Sequence, residues 1–143
     1  MQNKRIIKGL FGMILCSMQA LAADAPQITI NAVDSKTAGY VQDGELIAKG
    51  IISTNDDHVG FQLWLDSTSS GTRPNHFILF GERSGKTLSV RLKYNGAMSN
   101  TAGNKGVTIL SDKNRESFDV VANGRQKVVS DVYPLNIQGK TLY

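Results

Sequence analysis

Residues 87–94 read TLSVRLKY, with Leu88, Val90 and Leu92 alternating strictly against Ser89, Arg91 and Lys93. Successive side chains of a β-strand point to opposite faces, so this run predicts a strand with one face in a core and one in water. Just upstream, residues 75–80 (NHFILF) form a second apolar run, separated from the first by the turn-like Glu82-Arg83-Ser84-Gly85-Lys86. Residues 59–66 (VGFQLWLD) put Phe61, Leu63 and Leu65 on one face and Trp64 on the other. Residues 45–53 (ELIAKGIIS) follow Asp43-Gly44, a hairpin-type turn signal. Residues 27–33 (QITINAV) alternate again. Downstream, residues 95–106 (NGAMSNTAGNKG) are Gly, Asn and small residues, which predicts a surface loop. Residues 107–110 and 116–122 read as further strands, and a last one is expected over 128–137, with Tyr133 and Pro134 inside it. About seven short strands, with no helical stripe beyond residue 22, predict an all-β domain, an immunoglobulin-like β-sandwich. Pro134 cannot donate a ladder hydrogen bond, so it puts the last strand at a sheet edge.

The first 22 residues are of another kind. Lys4, Arg5 and Lys8 precede a mostly apolar run over 10–21, too short to span a bilayer, and Ala20-Leu21-Ala22 is an A-x-A cleavage site. This predicts a signal peptide over 1–22 and one exported domain over 23–143. Cleavage removes Cys16, the single cysteine, and with it any disulfide or thiolate chemistry. Leu15 stands where a lipoprotein signal needs a small residue. The leader holds three of the 16 basic residues and none of the 12 acidic ones, so the net charge falls from +4 to about +1. No basic run interleaved with aromatics points to nucleic acid. A domain of this length buries roughly two-thirds of its unfolded surface.

Candidate chemistry is sparse. Gly85-Lys86-Thr87 ends like a phosphate-binding loop, but the required glycine five positions before Gly85 is Phe80, so a hairpin turn is the better reading. Asp56-Asp57-His58 could offer metal ligands, yet His76 is the only other histidine, and a polar turn accounts for the segment better. There is no G-x-S-x-G elbow, and no calcium-loop pattern of acidic residues. The expectation is therefore no enzyme, no metal and no cofactor. Trp64 is read as a core or inter-sheet anchor ahead of a ligand platform. Tyr94, Arg91 and Lys93 are placed on an outward face that could meet a partner.

A resemblance runs through the ordered set Asp43-Gly44, Ala48-Lys49-Gly50-Ile51-Ile52, His58-Val59-Gly60-Phe61-Gln62-Leu63-Trp64, Leu88-Ser89-Val90-Arg91, Gly103-Asn104-Lys105-Gly106-Val107, Phe118-Asp119-Val120, Ala122-Asn123-Gly124 and Tyr133. Together these resemble the invasin, or tip, subunits of Afa/Dr-type fimbrial adhesins and their Saf-type relatives, over residues 25–141. The resemblance implies a pilin-type sandwich that lacks its final strand. It also implies assembly by the chaperone–usher pathway: a periplasmic chaperone, an outer-membrane usher, and a neighbouring fimbrial subunit that supplies a donor strand. Display at the cell surface and contact with a host-cell receptor follow. Tip subunits of this type carry a cysteine pair between the second strand and the chain end; the matching positions here are Thr54 and Thr141.

A missing strand has energetic consequences of its own. A donated strand buries about four or five alternate apolar side chains at about 1.5–3 kcal/mol each. That sum is comparable with the whole net stability of an ordinary domain, about 5–15 kcal/mol. A subunit without the strand is thus marginal alone and exposes a groove suited to β-strand addition. The residues expected to line this acceptor groove are Ile28 and Ile30 on the first strand, with Val132, Leu135 and Ile137 on the last. Only residues 23–26 precede the first strand after cleavage, a span of at most about 13 Å. That is too short a donor arm, which favours an acceptor-only tip subunit. Two other readings stay open: a polymerising shaft subunit with Ile28, Ile30 and Ala32 as its donor set and the first strand over 37–42, and a self-sufficient periplasmic β-sandwich that binds a small ligand or sugar.

Overall fold

A computed structural model describes residues 2–5, 12–17, 25–33, 39–65, 75–96, 98–100 and 106–143. Its strands are β1 (Gln2–Arg5), β2 (Gly12–Ser17), β3 (Gln27–Ala32), β4 (Gly39–Val41), β5 (Leu46–Ser53), β6 (Gly60–Leu65), β7 (His76–Phe80), β8 (Thr87–Lys93), β9 (Met98–Asn100), β10 (Val107–Leu110), β11 (Arg115–Ala122), β12 (Gln126–Val128), β13 (Asp131–Val132) and β14 (Ile137–Leu142). Two antiparallel sheets make the sandwich. One runs β3-β5-β11-β8-β7, the other β14-β6-β10-β9, and β4 pairs with β12 in a separate ribbon. Among the described residues no helix is long and apolar enough to cross a membrane.

Alternation decides which face enters the core. Ile28, Ile52, Leu88, Val90, Leu92, Phe118 and Val120 come from the five-stranded sheet; Phe61, Leu63, Leu65, Val107, Ile109 and Ile137 come from the other, all in one buried cluster. Close fit replaces bulk at Gly50, which pairs with Phe118 across β5 and β11. A Cβ there would lie 2.2 Å from Phe118 Cζ, so the far end of the ring occupies the space a side chain would need. The Asp43-Gly44 turn forms as expected, with Gly44 at φ +81° and its N–H donated to Ala122 O. Gly85, at φ +67°, closes the β7–β8 turn, where Gly81 N–H bonds Lys86 O; residues 85–87 are a hairpin turn.

Four expectations change. The last strand does not run unbroken over 128–137: β13 and β14 are separate, and Pro134 lies between them, lacking the N–H a continuous ladder needs. β14 itself pairs with β6, from Ile137 opposite Leu65 to Leu142 opposite Gly60. Trp64 is no core anchor. It is half-buried on the outward parity of β6, while Phe61, Leu63 and Leu65 take the interior. Tyr94 is not outward with Arg91 and Lys93: it shares parity with Leu92 and packs against the core. The loop expected over 95–106 holds a short strand, β9, paired with β10; residues 101–105 lie outside the described ones.

Candidate functional site at the last-strand edge

β14 has β6 on one side and, among the described residues, no hydrogen-bonded strand on the other. β13 also has one neighbouring strand among the described residues, and it comes from residues 12–17. β1 and β2 form an antiparallel hairpin, and β2 then runs parallel to β13, with Gly12 opposite Asp131 and Met13 opposite Val132. β2 also lies against β3. A strand from residues 12–17 therefore stands between the first and last strands of the sandwich. Nothing described within residues 25–143 pairs with that side of β13.

The five residues expected around this position fall as follows. Ile28 and Ile30 sit on β3 and are buried; β3 pairs with β5, with Ile28 opposite Ile52. Ile137 opens β14 and Leu135 precedes it, both buried, while Val132 on β13 is half-buried beside Met13. Ile28 and β14 meet across the sandwich at Gly139. A Cβ added there would lie 2.6 Å from Ile28 Cδ1 and 3.0 Å from Ile52 Cδ1, so the bare glycine admits both isoleucines. That residue was not singled out from sequence. An isolated glycine in a strand pattern, which marks close approach by another group, was the available signal. Because β3 is the edge strand of the five-stranded sheet, paired along its length with β5, residues 27–32 belong to the sandwich, and 39–41 is a ribbon strand, not its first strand.

A buried acid holds the start of β13. Asp131 accepts hydrogen bonds from Ser84 N (2.8 Å), Ser84 Oγ (2.7 Å), Val132 N (2.7 Å) and Arg83 N (3.2 Å). Glu82 N–H donates to Val132 O at 2.9 Å, so the β7–β8 turn grips this strand from both sides of the peptide. The bonds from Ser84 backbone and hydroxyl, and then those from Val132 and Arg83, hold the Asp131 carboxyl well below the usual carboxylate range. Tyr133 is fully buried, and its hydroxyl donates to Val129 O at 2.6 Å. A tyrosine hydroxyl bonded a few residues back along the chain is the tyrosine corner of immunoglobulin-like sandwiches. Burial, then the Asp131 charge, push the Tyr133 hydroxyl's pKa up.

Thr54 and Thr141 behave differently. Thr54 Oγ1 accepts from Asp56 N at 3.2 Å. Thr141 is 2% exposed and its hydroxyl has no partner, a polar atom on the inward parity of β14. Elsewhere, Arg91 is occupied: its guanidinium bonds Asp43 Oδ1 at 2.7 Å, which also accepts Gly124 N–H. Tyr94 donates to Glu116 Oε2 at 2.5 Å; burial first, then that bond and the Glu116 charge, push its pKa up to about 12. At 56–58 the His58 ring bonds two backbone carbonyls. Among the described residues no group of three or more His, Cys, Asp or Glu side chains could hold a metal ion.

An all-β sandwich with a tyrosine corner, a last strand paired on one side only among the described residues, and β2 from residues 12–17 beside β13 defines an immunoglobulin-like pilin-type fold. Residues 37–139 match the family described as Enterobacteria AfaD invasin proteins, and the chain belongs to that family. It is 28% identical to Protein AggB of Escherichia coli, covering 99% of this chain and 97% of that one. It is 24% identical to Protein AfaD of Escherichia coli, over 95% and 92%. The fold superposes on the Salmonella SafD adhesin with TM-score 0.78 and 28% identity, covering 82% and 84% of the two chains. A solved structure of AggB describes that protein as the minor subunit of aggregative adherence fimbriae type I; the TM-score is 0.69 at 24% identity, covering 80% and 83%.

Proposed function

We propose that this chain is a fimbrial tip adhesin or invasin subunit, exported through the periplasm and displayed at the cell surface, with no enzymatic role. It accepts a donor strand in the gap between β3 and the β13–β14 edge. Ile28, Ile30, Val132, Leu135 and Ile137 line that acceptor, residues 1–22 are a signal peptide, and residues 23–143 are the working domain. A periplasmic chaperone and then the neighbouring subunit fill the gap in turn, an outer-membrane usher carries the subunit outward, and the exposed surface meets a host-cell receptor. The observation that carries this reading is the origin of β2: the strand occupying the gap comes from residues 12–17, so a chain cleaved after Ala22 has to find a replacement in another molecule. Family membership and the minor-subunit role of AggB support placement at the tip. The residues before β3 also leave no arm long enough to donate.

The test uses residues 23–143 titrated with a peptide copying the N-terminal extension of the shaft subunit. The melting temperature should climb by about 10 °C or more as several buried apolar side chains are supplied. A melting temperature that does not move across a wide peptide excess overturns the proposal.

A further inference from the structure

A polar cleft of about 510 Å3 opens where the chain crosses between the two sheets. Part of its lining is the last cross-strand row of the five-stranded sheet, in which Ser53 on β5 stands between Gln27 on β3 and Arg115 on β11. These three side chains have outward parity, the reverse of their neighbours Ile28, Ile52 and Phe118, which enter the core. The rest of the lining comes from two crossovers. Residues 54–59 carry the chain from β5 to β6 and contribute Thr54, Asn55 and Asp56; residues 111–114 carry it back from β10 to β11 and contribute Asn114. Among the described residues Ala25 is the one apolar side chain in the lining.

The fold holds both crossovers in place without a ligand. Thr54 N–H donates to Asn114 O (2.9 Å), and Thr54 Oγ1 accepts Asp56 N–H (3.2 Å). The His58 ring lies 2.8 Å from Asp56 O on one crossover and 2.8 Å from Lys113 O on the other. A cleft with fixed walls loses little on binding to the ordering of loops. Its functional groups are less committed. Among the described residues, the Arg115 guanidinium and the side-chain amides of Asn55 and Asn114 make no hydrogen bond or ion pair.

The chemistry of this lining selects a ligand class. Arg115 and Asp56 are its two charged groups and are of opposite sign, so the cleft has no net charge with which to draw a polyanion or a polycation. With no aromatic or large aliphatic side chain among the described lining residues, a lipid tail or a flat aromatic ring finds no contact surface. Amides and hydroxyls both donate and accept, and a guanidinium adds a fixed fan of donors. A sugar ring presents the matching set, hydroxyls that donate and accept around its whole rim. The volume falls within the roughly 300–1,000 Å3 of ordinary ligand sites. We propose that this cleft binds an uncharged saccharide, with Arg115, Asn55 and Asn114 bonding its hydroxyl groups. The inference does not rest on strand donation: no cleft residue is among the five that line the acceptor, and Gln27 faces away from Ile28 and Ile30 on the same strand.

The experiment uses the full 143-residue chain, isotope-labelled for NMR. Lactose, N-acetyllactosamine, cellobiose and mannobiose are titrated in turn, with sialyllactose as the charged comparator. At least one neutral disaccharide should move the backbone amides of residues 53–56 and 114–115 saturably, with a Kd of about 1 mM. Arg115→Ala and Asn114→Ala should each weaken that binding about tenfold. Both side chains are exposed, so neither substitution disturbs the core. Lys113→Ala, an exposed neighbour outside the lining, should leave the affinity unchanged. The proposal is overturned if no neutral disaccharide moves these amides, if sialyllactose alone does so, or if both cleft variants bind as well as the wild type.

Discussion

Two regions of this sandwich, the interior of the five-stranded sheet and the β13–β14 edge, are built from similar sequence and end in opposite situations. In the five-stranded sheet, β5, β11 and β8 each have antiparallel neighbours on both sides, in registers such as Val120 opposite Ala48 and Leu92. At the β13–β14 edge, among the described residues, β14 is held on one side only, and β13 pairs with β2, from residues 12–17. Val132, Leu135 and Ile137 are as apolar as Leu88, Val90 and Leu92. What differs is whether the chain provides a neighbour. A β-sheet edge satisfies half its backbone groups internally, and the rest must come from water, a cap or another strand. The paired sheet is therefore sensitive to volume, and the open edge to occupancy.

The largest effect should come from closing the gap permanently. Fusing a linker and an alternating apolar strand after Tyr143 should raise the melting temperature of residues 23–143 by about 15 °C or more, read by circular dichroism. No gain from such a fusion would break the contrast between the paired sheet and the open edge. In the paired sheet, Gly50→Val forces a side chain into the Phe118 ring, and overpacking of this kind costs about 1–3 kcal/mol or more in denaturant unfolding. The corresponding substitution on the open edge, Gly139→Val, should cost less, because it meets only the mobile ends of Ile28 and Ile52. Equal losses at the two glycines would show that the edge is packed as tightly as the interior.

Asp131→Ala removes the group that ties the β7–β8 turn to β13, and the melting temperature at pH 7 should drop by about 5–10 °C. The folded carboxyl holds its proton less readily than a free one, whose ordinary value is 3.8, so its contribution is present above that pH and fades as pH falls below it. The gap between wild type and Asp131→Ala should accordingly narrow on acidification toward pH 2. The smallest effect is a gain. Thr141→Val replaces a buried hydroxyl that has no partner, and should stabilise the domain by about 1 kcal/mol.

Strands with clean alternation were legible in sequence because their periodicity is a local property. Leu88, Val90 and Leu92 enter the core as their spacing requires, and β5 and β6 lie within the residues expected for them. Trp64 shows the limit of residue type as a guide: a large aromatic suggests a core, but strand parity turned it outward. The break at Pro134 was half-read, since the missing N–H was taken as an edge signal when it also interrupts the strand. Asp131 gave no local sign, because its partners Arg83 and Ser84 lie nearly fifty positions away in the chain. The same holds for His58 and the oxygen of Lys113.

Alternating hydrophobicity and turn glycines determined by themselves that this is an all-β domain, since those signals depend only on neighbours a few residues apart. The tertiary structure decided which edge stays open, which acid and which histidine hold the corners, and that the strand beside β13 comes from residues 12–17. Those outcomes depend on which distant segments meet, and backbone hydrogen bonding between strands carries no residue code from which that meeting could be read.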